Sequence, residues 1–155
     1  MLELTNGDIL QADAEAIVNA VNCVGVMGRG VALQFRKAYP ENYSLYREVC
    51  SRNDLAPGKM LTYVRDTPMG SRYIINFPTK VHWKGKSSLD YIDKGLEALV
   101  AEVQRLGIQS IALPPLGCGL GGLIWSDVKP RIVQAFAALP DVRVLLYEPA
   151  GAPSS

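Results

Sequence analysis

The chain has 155 residues and a mass of 16.9 kDa, a length that fits one domain burying about two thirds of its unfolded surface. Lysine and arginine total 16 against 15 acidic residues, which excludes the broad basic face that non-specific nucleic-acid binding requires. The cysteines, Cys23, Cys50 and Cys118, lack C-x-x-C spacing, which argues against a disulfide framework and against a zinc site.

The remaining composition excludes further classes of protein. His82 is the single histidine, so a multi-histidine metal centre is excluded and a Ser-His-Asp triad would depend on that one residue. No apolar stretch approaches the ~20 residues of a membrane span, and the first residues do not resemble an export signal. We therefore expect a cytoplasmic protein that does not associate with membranes.

The first third of the chain alternates short apolar runs with turn signals. Residues 2–5 and 16–21 predict two strands, the second largely buried. Residues 22–30 form a glycine-rich segment, and helical periodicity follows at 31–39. A second helix is predicted at 41–52, after a proline that ends the first.

The middle of the chain predicts two strands and a long helix. Residues 60–65 and 72–77 are rich in β-forming residues, and the turn composition at 66–70 suggests a hairpin-like connection between them. A loop at 78–86 follows, and Ser87 is expected to be the N-cap of the helix after it. The apolar stripe of that helix consists of Leu89, Ile92, Leu96, Leu99, Val103 and Leu106.

The last third repeats the order of strand, glycine-rich segment and helix. Residues 110–113 predict a strand, residues 114–123 are glycine-rich, and a helix is expected from Ser126. Pro130 is expected in the first turn of that helix, where proline is tolerated. A strand at 142–147 completes an alternation of strands and helices that is typical of an α/β fold.

The glycine-rich segments are the clearest functional signal. Four glycines occupy the six positions 117–122, which lets main-chain N–H groups approach a ligand and form an anion nest; a flexible turn is the alternative interpretation. Both segments and Lys80 should meet at the carboxyl ends of strands, where open α/β sheets bind ligands. The sequence contains no Walker P-loop, and no Rossmann fingerprint follows the first strand.

Four motifs together resemble the successive motifs of the macrodomain family, the ADP-ribose-binding fold. They are GDI at 7–9, IVNAVN at 17–22, GRGVA at 28–32 and LPPLGCGLGGL at 113–123, in family order. The resemblance implies a three-layer α/β fold with a mixed central sheet of about six strands and helices on both faces. It implies a macrodomain at 1–148, and residues 149–155 then have the composition of a linker-like tail.

Within macrodomains, MGRGVALQF at 27–35 and Thr79-Lys80 resemble the branch that contains the terminal ADP-ribose glutamate hydrolase and an antitoxin that removes ADP-ribose from DNA. The resemblance implies a lysine-dependent DNA ADP-ribosyl glycohydrolase that counteracts a DNA ADP-ribosyltransferase toxin. Its partners would be ADP-ribosylated single-stranded DNA and the toxin, the latter through a domain absent from this chain. ADP-ribose would be substrate and product, with no cofactor. The alternatives are a reader that binds ADP-ribose without turnover, and a hydrolase of ADP-ribosylated protein or ADP-ribose phosphate.

The same resemblance assigns roles to single residues. Asp8 would accept a hydrogen bond from the adenine amino group, Asn22 would bind the distal ribose and assist catalysis, and Lys80 would act on the anomeric carbon. A turn cap and a contact to loop backbone are the alternative roles of Asp8 and Asn22, and a solvated loop lysine is that of Lys80. The ligand-binding residues implied are Asp8, Ile9, Asn22, Gly28, Arg29, Gly30, Val31, Gly117, Cys118, Gly119, Leu120, Gly121, Gly122 and Leu123.

Two positions depart from the family pattern. Many protein-directed hydrolases of the fold carry an aspartate where this chain has Ala32, so a carboxylate-assisted water mechanism is unsupported. The glutamate hydrolase has an aspartate, which releases its lysine intermediate, where this chain has Gly121. Lys80 could therefore act as a nucleophile, as an acid or as an electrostatic catalyst.

The loop after Lys80 is the predicted contact to the nucleic acid. Trp83 offers a stacking face for an exposed base, and His82 offers a hydrogen-bonding group beside it. Packing of Trp83 under the loop as part of the core is the alternative. We expect the two glycine-rich segments to bind phosphate through backbone amides, because Arg29 is their only cation.

Overall fold

A six-stranded sheet lies at the centre of the computed structural model, which describes residues 1–66 and 72–150. The strand order is β1-β6-β5-β2-β4-β3, and every neighbouring pair is parallel except β3 and β4. Five parallel strands therefore end at the same edge of the sheet. The strands are β1 (Leu2–Thr5), β2 (Ala16–Val21), β3 (Leu61–Val64), β4 (Tyr73–Pro78), β5 (Ser110–Leu113) and β6 (Arg143–Tyr147).

Helices cover both faces of the sheet, which confirms the predicted three-layer α/β fold. Alternate residues of β2 point to opposite sides: Val18 packs in a cluster with α3 and α4, whereas Ile17 packs with Phe35 of α1. The helices are α1 (Gly30–Ala38), α2 (Pro40–Ser51), α3 (Leu89–Leu106) and α4 (Trp125–Phe136). No helix in residues 1–66 and 72–150 is long and apolar enough to cross a membrane.

Strand bounds follow the predictions closely, and two predictions at helix starts are wrong. Ser88, not Ser87, is the N-cap of α3, because its Oγ accepts from the Tyr91 amide at 3.2 Å. The Ser87 amide instead donates to the Gly121 carbonyl at 2.9 Å. The predicted turn at 66–70 and the predicted tail at 149–155 lie largely outside the described residues, so both stay predictions.

Pro130 does not lie in the first turn of α4. The helix begins at Trp125, because the amides of Asp127 and Val128 both donate to the Ile124 carbonyl, and Pro130 is therefore its sixth residue. Proline has no N–H to donate to the carbonyl four residues earlier, which belongs to Ser126. Both residues are exposed, so water can satisfy that carbonyl.

Helix α3 approaches the sheet most closely at Gly95, which has no side chain between the helix and Phe77 of β4. A Cβ at this position would overlap the Phe77 ring, which is fully buried. We predict that Gly95→Ala lowers the free energy of unfolding by about 1–3 kcal/mol, because overpacking outweighs the gain in helix propensity. Denaturant unfolding measures this change.

Two further variants make this prediction specific to the contact with Phe77. Lys94→Ala, on the exposed face of the same helix, should change stability by less than about 0.5 kcal/mol. The loss in the double variant Gly95→Ala/Phe77→Leu should be smaller than the sum of the two single losses, because leucine leaves room for the new methyl group. Additive losses would contradict the packing explanation.

Candidate functional site

A cavity of about 640 Å³ opens where β2, β4 and β5 end. Three segments that follow these strands form its walls: the first glycine loop (22–30), the lysine loop (79–86) and the second glycine loop (114–123). The predicted convergence of the two glycine-rich segments with Lys80 is therefore confirmed. The lining residues are Ala20, Val21, Asn22, Val26, Gly28, Arg29, Gly30, Val31, Ala32, Thr79, Lys80, Trp83, Lys84, Gly85, Lys86, Pro114, Pro115, Gly117, Cys118, Leu120 and Gly121.

Asn22 fixes the shape of the first glycine loop. Its Oδ1 accepts from the amides of Val24 and Val26 at 3.1 and 3.4 Å, and its Nδ2 donates to the Val26 carbonyl at 2.8 Å. The Tyr46 hydroxyl donates to Asn22 Oδ1 at 2.7 Å. Among the described residues, the second N–H of the Asn22 amide has no acceptor, so it can donate to a ligand in the cavity.

Backbone N–H groups of both glycine loops are available at the cavity. Helix α1 starts at Gly30, and the amides of Val31 and Ala32 donate to no acceptor within the part of the chain that the structure describes. The amide of Leu120 in the second loop likewise has no acceptor there, whereas the bridge between Cys118 and Leu123 uses the Gly119 amide. These groups are the donors that an anion at this place would use.

Positive φ angles shape the second glycine loop. Gly117 has φ +75°, and a Cβ there would lie 2.7 Å from Leu123 Cδ1, so this glycine is enclosed by the core. Gly119 has φ +68° and open space around it. Gly117 is therefore required by packing, whereas Gly119 is required by backbone conformation alone.

Lys80 lies in the wall between the two glycine loops. It is half-buried, and its Nζ donates to the Trp83 carbonyl at 3.0 Å. Burial lowers the pKa of its amine, and the positive charges of Lys86 and Arg29 lower it further. Lys80 therefore loses its proton more readily than an ordinary lysine.

Four cationic side chains line the cavity, namely Arg29, Lys80, Lys84 and Lys86, and none of the lining residues is a carboxylate. In a chain of net charge +1, this is a local concentration of positive charge. The expectation that phosphate would meet backbone amides and Arg29 stays a prediction, and the lysine loop adds three cations to the walls that the glycine loops form. The cavity combines amides and cations, a set of groups that suits a diphosphate.

The Macro domain family model matches residues 18–132, which contain every wall of this cavity. The chain belongs to the macrodomain family.

Relatives and solved structures agree with this assignment. A Mycobacterium tuberculosis protein named DNA ADP-ribosyl glycohydrolase is 52% identical over 153 residues, which are 97% of this chain and 43% of that protein. The solved macrodomain of M. tuberculosis DarG superposes with a TM-score of 0.96 at 50% identity, covering 97% of this chain and 99% of that one.

A Thermosipho africanus relative, named a DNA ADP-ribosyl transferase-DNA ADP-ribosyl glycohydrolase fusion protein, is 33% identical over 96% of this chain and 42% of its own length. The structure of Thermosipho africanus DarTG in complex with ADP-ribose matches with a TM-score of 0.91 at 33% identity, covering 99% of this chain and 43% of that one. This macrodomain thus spans about two fifths of the length of the Mycobacterium and Thermosipho relatives.

Asp8 and Ile9 do not line the cavity of this macrodomain. They follow β1, two strands away from β5 but at the same edge of the sheet. Asp8 Oδ1 accepts from the Leu10 amide at 3.0 Å and so caps a 3₁₀ turn, whereas Ile9 is buried. The structure therefore shows the turn cap, and a contact from Asp8 to adenine stays a prediction.

Trp83 is not part of the core, since 43% of its surface is exposed and it lines the cavity. Its ring stacks on His82 with centroids 5.5 Å apart, and Lys84 Nζ lies 5.0 Å from its centroid. His82 does not line the cavity, and its Nδ1 accepts from the Lys84 amide at 3.1 Å. The alternative of Trp83 packed under the loop is wrong.

Two residues that shape the site could not be recognised from the sequence. The Tyr46 hydroxyl of α2 holds Asn22, and burial raises the Tyr46 pKa so that it stays a neutral donor. The stem of Lys86 covers Gly122, where a Cβ would lie 3.2 Å from Lys86 Cδ. No spacing rule reveals either contact, because each depends on how separate elements pack.

We predict that Lys80 titrates below the ordinary pKa of lysine in the ligand-free protein. Replacing its cationic neighbour in Lys86→Met should raise the Lys80 pKa, because one repulsive charge is removed. The rate of Lys80 acetylation as a function of pH, followed by peptide mass spectrometry, measures both values. Lys94→Met on the exposed face of α3 is the control and should leave the Lys80 profile unchanged. An unchanged profile in Lys86→Met would contradict the electrostatic coupling.

Proposed function

We propose that this macrodomain removes ADP-ribose from DNA by hydrolysing the bond between ribose C1 and a modified base. The observation that carries the proposal is Lys80, a half-buried amine with a lowered pKa between two loops of free amides. The similarity to proteins named DNA ADP-ribosyl glycohydrolase supports the choice of DNA as the substrate. The complex of Thermosipho DarTG with ADP-ribose supports the choice of ligand.

In this proposal the ligand lies across both glycine loops. The amides of Val31 and Leu120 donate to the diphosphate oxygens, and Arg29 and Lys86 neutralise their charge. The free N–H of Asn22 donates to a hydroxyl of the distal ribose. The other proposed ligand-binding residues, including Asp8 and Ile9 toward adenine, keep the roles that the family resemblance implies.

Lys80 can act by two routes. As a nucleophile, the neutral amine attacks C1, a C–N bond forms, and the bond to the base breaks with its electron pair leaving on the base, which takes up a proton. Water then adds at C1 and releases the amine. As an acid, the ammonium gives its proton to the base while water attacks C1, and the surplus proton of that water then returns to the lysine amine. A rate that rises with pH through the Lys80 pKa favours the first route, and one that falls favours the second.

The proposed partners extend beyond ADP-ribose. Trp83, with His82 behind it, is proposed to stack on a base of single-stranded DNA next to the modified nucleotide. The fusion of transferase and glycohydrolase in the Thermosipho relative supports an antitoxin role against an ADP-ribosyltransferase, through a region outside this chain. Cytoplasmic location is proposed from the three unpaired cysteines of the sequence.

We predict that Lys80→Ala abolishes release of ADP-ribose from ADP-ribosylated DNA but retains affinity for free ADP-ribose within about threefold, because the amides and other cations remain. Single-turnover assays and calorimetry measure the two quantities. Lys94→Ala, on the exposed face of α3, is the matched control and should retain full turnover. If the unaltered chain binds ADP-ribose but does not release it from DNA, the result would support a reader that binds without turnover. If it acts only on ADP-ribosylated protein or on ADP-ribose phosphate, the result would support a hydrolase of that substrate.

We further predict that Gly119→Val abolishes ADP-ribose binding without unfolding the protein. Valine is strained at φ +68° and would move the Leu120 amide, whereas a Cβ at this position meets no atom within 4 Å. The free energy of unfolding should fall by only ~1–2 kcal/mol. Calorimetric titration with ADP-ribose and a thermal melt test the two parts. Normal binding by Gly119→Val would exclude the second glycine loop as the diphosphate cradle.

A further inference from the structure

A group of arginine and tyrosine side chains lies beside the first glycine loop and outside the cavity. Arg36 of α1 lies over the ring of Tyr43 of α2, with Cζ 4.7 Å from the ring centroid. Arg47 of α2 approaches the same ring, with Cζ 5.7 Å from its centroid. We refer to Arg36, Tyr43 and Arg47 as the arginine-tyrosine patch. Both arginines are exposed and Tyr43 is half-buried.

The two arginines of the patch differ from most other arginines of the chain in having no acidic partner. Arg52, Arg131 and Arg143 each form an ion pair with a carboxylate. Arg36 and Arg47 form none with any residue in the described ranges 1–66 and 72–150. Their guanidinium groups are therefore oriented by the Tyr43 ring while their N–H donors stay available to a ligand.

The patch is continuous with the cavity. A Cβ built on Gly25 of the first glycine loop would lie 3.9 Å from both Cα and Cγ of Arg47, so the loop packs directly on this residue. Tyr46 connects the two regions, since its ring lies 6.5 Å from that of Tyr43 and its hydroxyl bonds to Asn22 in the cavity wall. The arginine-tyrosine patch therefore packs against the first glycine loop, which is a wall of the cavity.

We propose that the arginine-tyrosine patch binds the sugar-phosphate backbone of single-stranded nucleic acid that flanks the nucleotide held in the cavity. This inference rests on the proposed function, because it extends the substrate from one ADP-ribosylated nucleotide to a strand. Guanidinium groups bind phosphate through two parallel hydrogen bonds, and the tyrosine between them holds them at a fixed spacing. With a net charge of +1, the chain can supply such contacts only locally.

The test compares Arg36→Gln/Arg47→Gln with a control that removes the same charge. The control is Arg52→Gln/Arg131→Gln, whose arginines are paired with carboxylates and lie outside the patch. The ligand is an unmodified DNA single strand of about ten nucleotides, a length within the usual site sizes of such proteins. Fluorescence anisotropy over a range of salt concentrations measures affinity and its salt dependence.

We expect the patch variant to bind the strand more weakly at low salt and to lose about 1.4 from the slope of log K against log salt. Each phosphate contact on a single strand contributes about 0.7 to this slope, so the expected loss corresponds to two contacts. The control variant should keep the slope of the unaltered chain. An unchanged slope in the patch variant, or equal losses in both variants, would overturn the proposal and leave an acidic protein segment as the occupant to test.

A second measurement separates this inference from the proposed function. The patch variant should release ADP-ribose from an ADP-ribosylated mononucleoside at the unaltered rate but from an ADP-ribosylated strand with a raised KM. Failure of the unaltered chain to act on either substrate would contradict the proposed function, while the anisotropy experiment would still decide whether the patch binds the strand. Equal loss on both substrates would place the arginines in the scaffold and overturn the inference.

Discussion

The parallel pairing of β2 with β4 on one side and β5 on the other is the constraint on which the site depends. Val21, the last residue of β2, pairs with Pro78, the last residue of β4. The first glycine loop follows Val21 and the lysine loop follows Pro78, so the two loops leave the sheet side by side. The Cys23 amide donates to the Val81 carbonyl at 2.8 Å and ties these two loops together. The amide of Ser87, the residue after the lysine loop, donates to the Gly121 carbonyl and so ties the lysine loop to the second glycine loop. Backbone hydrogen bonds therefore connect all three walls of the cavity.

Much of this arrangement could be predicted from the sequence. The strands at 2–5, 16–21 and 110–113 were predicted to the residue, because short apolar runs bounded by turn residues leave little freedom in their ends. That the two glycine loops lie together could be predicted from the parallel arrangement of the strands alone. The N-cap of α3 could not be predicted, since Ser87 and Ser88 are chemically equal and only the contact of Ser87 with Gly121 decides between them.

Groups contributed by separate elements were the part that the sequence could not predict. Lys86 follows Lys80 by six residues, yet it acts on the site because its stem lies over Gly122 of another loop. Tyr46 and Asn22 are 24 residues apart and meet only because α2 packs under the first glycine loop. The arginine-tyrosine patch likewise combines α1 with α2. In each case the informative contact depends on the exact packing of two elements.

The charges around Lys80 act differently in the empty and the occupied cavity. In the empty cavity, burial and the cations Lys86 and Arg29 lower the pKa of the Lys80 amine. A diphosphate bound between the glycine loops would neutralise those cations and would itself favour the ammonium form, so it would raise this pKa again. Since none of the described residues that line the cavity is a carboxylate, the ligand would bring negative charge to the amine. Lys80 would then take up a proton as the ligand binds and hold it next to the bond that breaks. This sequence of events favours Lys80 as an acid toward the leaving base, and this route forms no lysine intermediate that an aspartate in place of Gly121 would have to release.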